Sequence, residues 1–227
     1  MSVRLLMLQR HRVMAVLMLV TAMLVAGSAR AQSVLILGDS ISAAYGMEKS
    51  QGWVHLFEKK LVPHCTNAQV INASVSGETS AGGKSRLPAL LGAHKPDIVV
   101  IELGGNDGLR GLSPIAMRRN LEAMVALSRD SGATPVLLGM QIPPNYGPQY
   151  TRLFEQQFQM VAQQQKVPFV PFFLEGILEH GGFQPDGIHP VAEAQALLLR
   201  NAESVLSPIL PDCYVGNDSA TEADDHV

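Results

Sequence analysis

The sequence predicts an α/β domain in which a five-stranded parallel sheet is covered by helices on both faces. Two observations carry this. Short, wholly apolar runs recur along the chain, and each is separated from the next by a segment with apolar residues at helical spacing. A strand that reads as a continuous apolar run is buried on both faces, and alternation with helices makes successive strands parallel. With 227 residues, 47% of them hydrophobic and 16% charged, the chain is long enough for one packed domain and too apolar for a disordered one.

The elements follow in order. Residues 34–37 (Val-Leu-Ile-Leu) form the first strand, closed by Gly38. A helix over 51–61 places Trp53, Leu56, Phe57 and Leu61 on one face, and Pro63 stops it. Residues 70–73 form the second strand, and 79–91 a weaker helical stretch carrying Leu87, Leu90 and Leu91. Pro96-Asp97 punctuates the chain before the third strand, 98–103. Ser113 then stands as an N-cap before Pro114 at the first helical position. The helix it opens runs to Ser131 with Met117, Leu121, Met124, Val125 and Ser128 inward, and Gly132 ends it. Strand four is 135–140, a helix over 150–165 uses Leu153, Phe154, Phe158 and Val161, strand five is 167–173, and 191–210 is the closing helix.

The two ends read differently from this body. Arg4, Arg10 and Arg12 precede a 14-residue apolar stretch, 13–26, and Ala29-Arg30-Ala31 has the small-x-small pattern that signal peptidase cuts. Fourteen residues rise only about 21 Å as a helix, short of a ~30 Å hydrocarbon core. Residues 1–31 are therefore expected to be a cleaved secretory signal and not a stable membrane anchor, and the protein to be periplasmic or secreted. Removing them leaves 196 residues and takes four arginines but no acids, so 13 cations face 20 acids and the formal charge moves from −3 to −7. That balance argues against a nucleic-acid partner, which needs a basic face, and it is compatible with a monomer. Residues 32–211 are read as the single domain, and 212–227 as an acidic tail with few apolar residues to pack.

Cys65 and Cys213 are the only cysteines, and they lie 148 positions apart, which is no metal-knuckle spacing. Two unpaired thiols and a bridge tying the tail to the body both remain open in an oxidising compartment.

In an open parallel sheet, ligands sit beyond the carboxyl ends of the strands. The loops there read Gly38-Asp39-Ser40, Ser76-Gly77, Gly104-Gly105-Asn106-Asp107, Pro143-Pro144-Asn145-Tyr146 and Asp186-Gly187-Ile188-His189-Pro190. A serine hydroxyl needs an imidazole to take its proton, and the imidazole needs an acid to hold its tautomer. His189 and Asp186 are three apart, so one turn brings the carboxylate to Nδ1 and leaves Nε2 for a serine, with Ser40 the natural candidate. The developing oxyanion would find donors in the backbone N–H of Ser40 and Gly77 and the Asn106 amide. Singly, each has a plainer explanation: a serine after a strand is commonly a cap or turn residue, and Asp-Gly is an ordinary turn. His55, His64, His94, His180 and His226 have no comparable setting.

The joint pattern resembles a known family. Gly38-Asp39-Ser40, Gly77, Gly104-x-Asn106-Asp107 and Asp186-x-x-His189 match the four blocks of the SGNH (GDSL) hydrolases. The likeness runs over residues 34–210, and GDSISAAYGM, INASVSGETS, IELGGNDGLRG, IPPNYGPQY and DGIHP are similar to the bacterial periplasmic thioesterase I, arylesterase and lysophospholipase group. The resemblance implies a three-layer, flavodoxin-like fold with strand order 2-1-3-4-5. It implies Ser40 as nucleophile, Asp186 and His189 as its partners, and Ser40, Gly77 and Asn106 as the oxyanion hole, with no metal or other cofactor. The substrates it implies are acyl or aryl esters, acyl thioesters and lysophospholipids. Residues 107–114 match a loop that shapes the acyl site in relatives. Glu78 stands where an Asp is commoner, and Met47 and Pro144 vary the pocket lining. In that fold Cys65 and Cys213 fall at the edge opposite the site, where pairing is feasible.

Leu109, Leu112, Ile142, Pro143, Tyr146 and Ile188 are the candidates for an acyl-chain pocket. Gly83-Lys84-Ser85 looks like the end of a phosphate-binding loop, but position 78, where that loop needs Gly, is Glu. Ser42 stands where a G-x-S-x-G elbow would need Gly, which sets aside the α/β-hydrolase fold. The alternatives are a carbohydrate O-acetylesterase on the same fold and a non-catalytic secreted protein that binds an acyl or sugar ligand.

Overall fold

The computed structural model describes residues 32–63, 65, 68–179, 182–210 and 213. The expected signal segment and, apart from Cys213, the acidic tail lie outside the described residues. Five strands, β1 (Ser33–Gly38), β2 (Gln69–Asn72), β3 (Ile98–Glu102), β4 (Thr134–Leu138) and β5 (Phe169–Val170), make one parallel sheet in the order β2-β1-β3-β4-β5. The register sets Val34 between Val70 and Ile98, and Ile101 between Leu37 and Leu137. β3 is buried along its whole length and β1 from Val34 onward, which is why both read as apolar runs, interrupted only by Glu102 at the end of β3.

The α-helices are α1 (Trp53–Leu61), α2 (Ser80–His94), α3 (Gly105–Leu109), α4 (Pro114–Asp130), α5 (Pro148–Gln165) and α6 (Gln195–Leu206). α1 packs on α6, while α2, α4 and α5 pack side by side, so the sheet lies between two helical layers. The Ser113 hydroxyl accepts from the Ala116 N–H at 3.3 Å with Pro114 in the first turn, and all five residues expected on the inner face of α4 are buried. Thr79 caps α2 in the same way, accepting from Gly82 N.

Several boundaries differ from expectation for identifiable reasons. β5 is two residues long, not seven, because Pro168 and Pro171 bracket it and neither can donate to a ladder. The closing helix is interrupted: single 3₁₀ turns, Ala192–Ala194 and Ser207–Ile209, flank α6, the second containing Pro208. In α1, Val54 is buried with Trp53, Phe57 and Leu61, and Leu56 is only half-buried. In α5 the buried stripe is Phe154, Gln157, Phe158 and Val161, and Leu153 lies at its margin, exposed. The loop expected after β3 contains α3, whose Gly and Asn/Asp content is poor in helix propensity.

Cys65 and Cys213 are joined as a disulfide, with Cα atoms 4.9 Å apart. The bridge ties the segment after α1, just ahead of β2, to the chain beyond α6. It therefore lies at the amino edge of the sheet, opposite the site. No helix among the described residues is long and apolar enough to cross a membrane.

Candidate active site

Ser40 lies two residues beyond the end of β1. The turn that presents it is made by Asp39, whose Oδ1 accepts the Ile41 N–H at 3.0 Å. The backbone N–H groups of Ser40 and Gly77 donate to no protein group among the described residues. Gly77 sits at φ +79°, a left-handed conformation that glycine adopts without strain, and its carbonyl accepts from Arg110 Nη2 at 2.9 Å.

His189 reaches Ser40 from the far end of the chain. Its Nε2 lies 2.8 Å from Ser40 Oγ and its Nδ1 2.7 Å from Asp186 Oδ2. The other Asp186 oxygen, Oδ1, accepts the N–H groups of Ile188 at 2.9 Å and His189 at 3.0 Å. These bonds, first the His189 backbone N–H and then its ring, hold the Asp186 carboxyl down at about 2. Gln184 Nε2 donates to the carbonyls of Tyr45 and Pro190, stitching the histidine loop to the serine loop. The Tyr45 ring lies against the His189 ring, centroids 4.4 Å apart.

Asn106 is carried by α3. The chain enters α3 through Gly104 at φ +116°, where a Cβ would meet Met117 and Phe158 at 2.8 Å. Gly108 packs so closely on Ile142 and Phe154 that a Cβ would lie 2.6 and 2.7 Å from them. Asp107 is buried and accepts from Ser80 N at 2.8 Å and Ser80 Oγ at 2.6 Å. Three close contacts thus override the weak propensity of the segment and fix Asn106, whose Nδ2 donates to Asp39 Oδ2 at 3.0 Å.

Beneath the serine lies a buried acidic pair that the sequence reading did not single out. Glu102 is fully buried at the end of β3, and its Oε2 accepts from Asp39 N at 3.2 Å and from Ser42 Oγ at 2.7 Å. Trp53 Nε1 donates to the same Ser42 oxygen. Burial, reinforced by repulsion from Asp39, pushes the Glu102 carboxyl well above the usual range, and burial raises Asp39 from 3.8 to about 6. The signal was a charged residue closing an otherwise apolar strand.

A cavity of about 350 Å³ opens at Ser40, His189 and Asn106. Of the expected pocket residues, Leu109, Ile142, Pro143 and Ile188 line it. Leu112 and Tyr146 do not: Leu112 is 45% exposed, and the Tyr146 hydroxyl turns to the Leu109 carbonyl at 2.7 Å, bracing that loop from outside. Met47 and Pro144 also lie outside the lining. The wall also includes Ile41, Met140, Gln141, Phe172, Leu174 and Phe183, which the sequence reading missed. Phe172 follows the truncated β5, where a strand of the expected length would have continued, and Leu174 lies just beyond that length. No group of three or more His, Cys, Asp or Glu among the described residues could hold a metal ion.

A serine, histidine and aspartate in hydrogen-bonded line at the carboxyl edge of a 2-1-3-4-5 sheet, at the mouth of a largely apolar cavity, have the arrangement of a serine hydrolase. The model of the GDSL-like Lipase/Acylhydrolase family matches residues 36–197, and the chain belongs to this family. It is 53% identical over 183 residues to Esterase TesA of Pseudomonas aeruginosa, covering 80% of this chain and 91% of the relative. It is 43% identical over 171 residues to an arylesterase of Vibrio mimicus, covering 75% and 86%. It is 40% identical over 184 residues to thioesterase 1/protease 1/lysophospholipase L1 of Escherichia coli K12, covering 81% and 87%. Among solved structures, a crystal structure of TesA superposes with a TM-score of 0.75 at 52% identity, covering 78% of this chain and 99% of that one. The esterase EstA from Pseudoalteromonas, inhibited by monoethylphosphonate, superposes at 0.74 with 39% identity, covering 79% and 99%.

Proposed function

We propose that this family member hydrolyses acyl and aryl esters and acyl thioesters through an acyl-enzyme on Ser40. The observation that carries the reading is the line Ser40 Oγ–His189 Nε2–Asp186 at 2.8 and 2.7 Å, set at the mouth of an apolar cavity. His189 takes the serine proton as Oγ attacks the acyl carbonyl, then returns it to the leaving alcohol or thiol. Water repeats the sequence on the acyl-enzyme. Asp186 keeps the Nδ1 proton in place and stabilises the imidazolium. The N–H groups of Ser40 and Gly77 and the Asn106 amide receive the oxyanion.

Met140, Ile142, Phe172, Leu174 and Phe183 make most of the cavity wall apolar, with Gln141 the hydrogen-bonding side chain set among them, a balance that favours an acyl chain over a glycan. The relatives named as esterase, arylesterase and thioesterase/lysophospholipase support the same substrate classes. The sequence pattern at residues 1–31 supports export to the periplasm or beyond.

The test is hydrolysis of p-nitrophenyl esters from acetate to palmitate by the mature protein and by Ser40→Ala. Turnover in the wild type with a chain-length optimum, and none above background in the variant, is expected. Equal turnover in both would remove Ser40 from the reaction, and ligand binding without turnover in either would support the binding-protein alternative.

A further inference from the structure

Asp39 immediately precedes the serine, yet it touches neither His189 nor Asp186 by hydrogen bond. It is 2% exposed, and every polar atom it presents is committed. Its N–H donates to Glu102 Oε2, its Oδ1 accepts from Ile41 N, and its Oδ2 accepts from Asn106 Nδ2. We propose that Asp39 is the positioning residue of the oxyanion site, holding the Asn106 carboxamide so that its nitrogen, and not its oxygen, faces the developing charge.

This role for Asp39 rests on Asn106 being an oxyanion donor. A carboxamide can turn over about its last torsion at little cost, and only one of the two orientations is useful to catalysis. Asn106 Nδ2 carries two protons. One is held on Asp39 Oδ2, which leaves the second for the oxyanion. An ionised carboxylate only accepts, so it admits the nitrogen and repels the amide oxygen. Both Asp39 oxygens accept from N–H donors, Oδ1 from Ile41 and Oδ2 from Asn106, the arrangement that suits the ionised carboxylate. Its own orientation is pinned by the Ile41 N–H on Oδ1, so Oδ2 cannot swing away from Asn106.

Asp39→Asn inverts this instruction without changing size. The Ile41 N–H still demands an oxygen at the Oδ1 position, which puts an NH₂ group where Oδ2 was. Asn106 then turns its carbonyl oxygen towards both that NH₂ and the oxyanion. Asp39→Asn is therefore expected to lower kcat at least as far as Asn106→Ala, by about 10²–10³. KM for a p-nitrophenyl ester should stay within a few-fold, because the oxyanion forms only after binding. Affinity for an alkyl boronic acid, which becomes tetrahedral on the serine, should fall in step with kcat. In the double variant Asp39→Asn/Asn106→Ala, kcat should be no lower than in Asn106→Ala alone, because Asp39 acts only through that side chain.

The outcomes separate the two layers of the inference. If Asn106→Ala keeps wild-type kcat, the oxyanion role of Asn106 is wrong and the positioning role falls with it. If Asn106→Ala is slow but Asp39→Asn is as active as wild type, or the two losses multiply in the double variant, only the positioning role of Asp39 is overturned. Should Asp39→Asn fail to fold, the wild-type protein decides by NMR, using Asn106 side-chain amide signals assigned by their loss in Asn106→Ala. One amide proton shifted downfield by the carboxylate is expected at pH 7.5, and a pair at the positions of a solvent-exposed asparagine would overturn the proposal.

Discussion

Replacing Asp186 by Asn tests the histidine arm of the site through a feature particular to this loop. The two Asp186 oxygens have separate tasks: Oδ1 accepts the Ile188 and His189 N–H groups at 2.9 and 3.0 Å, and Oδ2 faces His189 Nδ1 at 2.7 Å. In the Asp186→Asn variant the two backbone donors require the amide oxygen, so the NH₂ group must face the imidazole. Nδ1 then becomes an acceptor, the ring proton moves to Nε2, and Nε2 donates to Ser40 instead of accepting from it. Restoring the productive tautomer would mean turning the amide over and losing both backbone hydrogen bonds. The flipped amide would set a donor against two donors, a cost that water around this partly exposed side chain softens and does not remove. The expected loss is about 10²–10⁴ in kcat, and removal of the negative charge beside the imidazolium deepens it. Asp186→Ala forces neither tautomer, so it should retain more activity than Asp186→Asn despite deleting more atoms. The assay is steady-state hydrolysis of p-nitrophenyl butyrate by both variants, with circular dichroism to show that each is folded. Asp186→Asn within ten-fold of wild type, or faster than Asp186→Ala, would refute the tautomer argument.

Two further outcomes concern stability. Burial favours the neutral form of Asp39 in the folded state, so its contribution is fully present below the ordinary 3.8 and is lost as pH rises through about 6, an effect of about 3 kcal/mol. Glu102, buried against it and raised in the same direction, adds to this decline at higher pH, whereas Asp186 works the other way, its contribution being lost as pH falls towards 2. Urea midpoints between pH 4 and 7 should therefore fall more steeply for wild type than for Asp39→Asn, and parallel curves would show that Asp39 does not titrate in this window. Reduction of the Cys65–Cys213 bridge releases a loop of 148 residues, worth up to about 5 kcal/mol in the chain-entropy model. Because the bridge lies at the sheet edge away from Ser40, the melting temperature should drop while kcat at 25 °C stays unchanged, and a parallel loss of kcat would contradict that separation.

Local pattern determined a good deal about this protein. The apolar runs at 34–37 and 98–103, the second carrying Glu102 as its one charge, read as strands buried on both faces, since a strand exposed on one face would alternate. Ser113-Pro114 marked a helix start that the structure keeps, and polar residues clustered after successive strands located the site at the carboxyl edge. Ser40, Asn106, Asp186 and His189 could be picked out as candidates because the proposed chemistry needs those side chain types and they stand in a family order. What the tertiary structure decided is what depends on contacts between distant segments. Ser40 and His189 meet across 149 positions, and no local rule sets their 2.8 Å separation. The helix bearing Asn106 forms against its own propensity because Asp107, Gly104 and Gly108 fit Ser80, Phe158 and Phe154. Prolines on either side shorten β5 and release Phe172 into the cavity wall, while Leu112 and Tyr146 turn away from it. The acidic pair beneath the serine had no sequence period at all: two carboxyls become a high-pKa couple only when the sheet brings the ends of β1 and β3 together and excludes water from both.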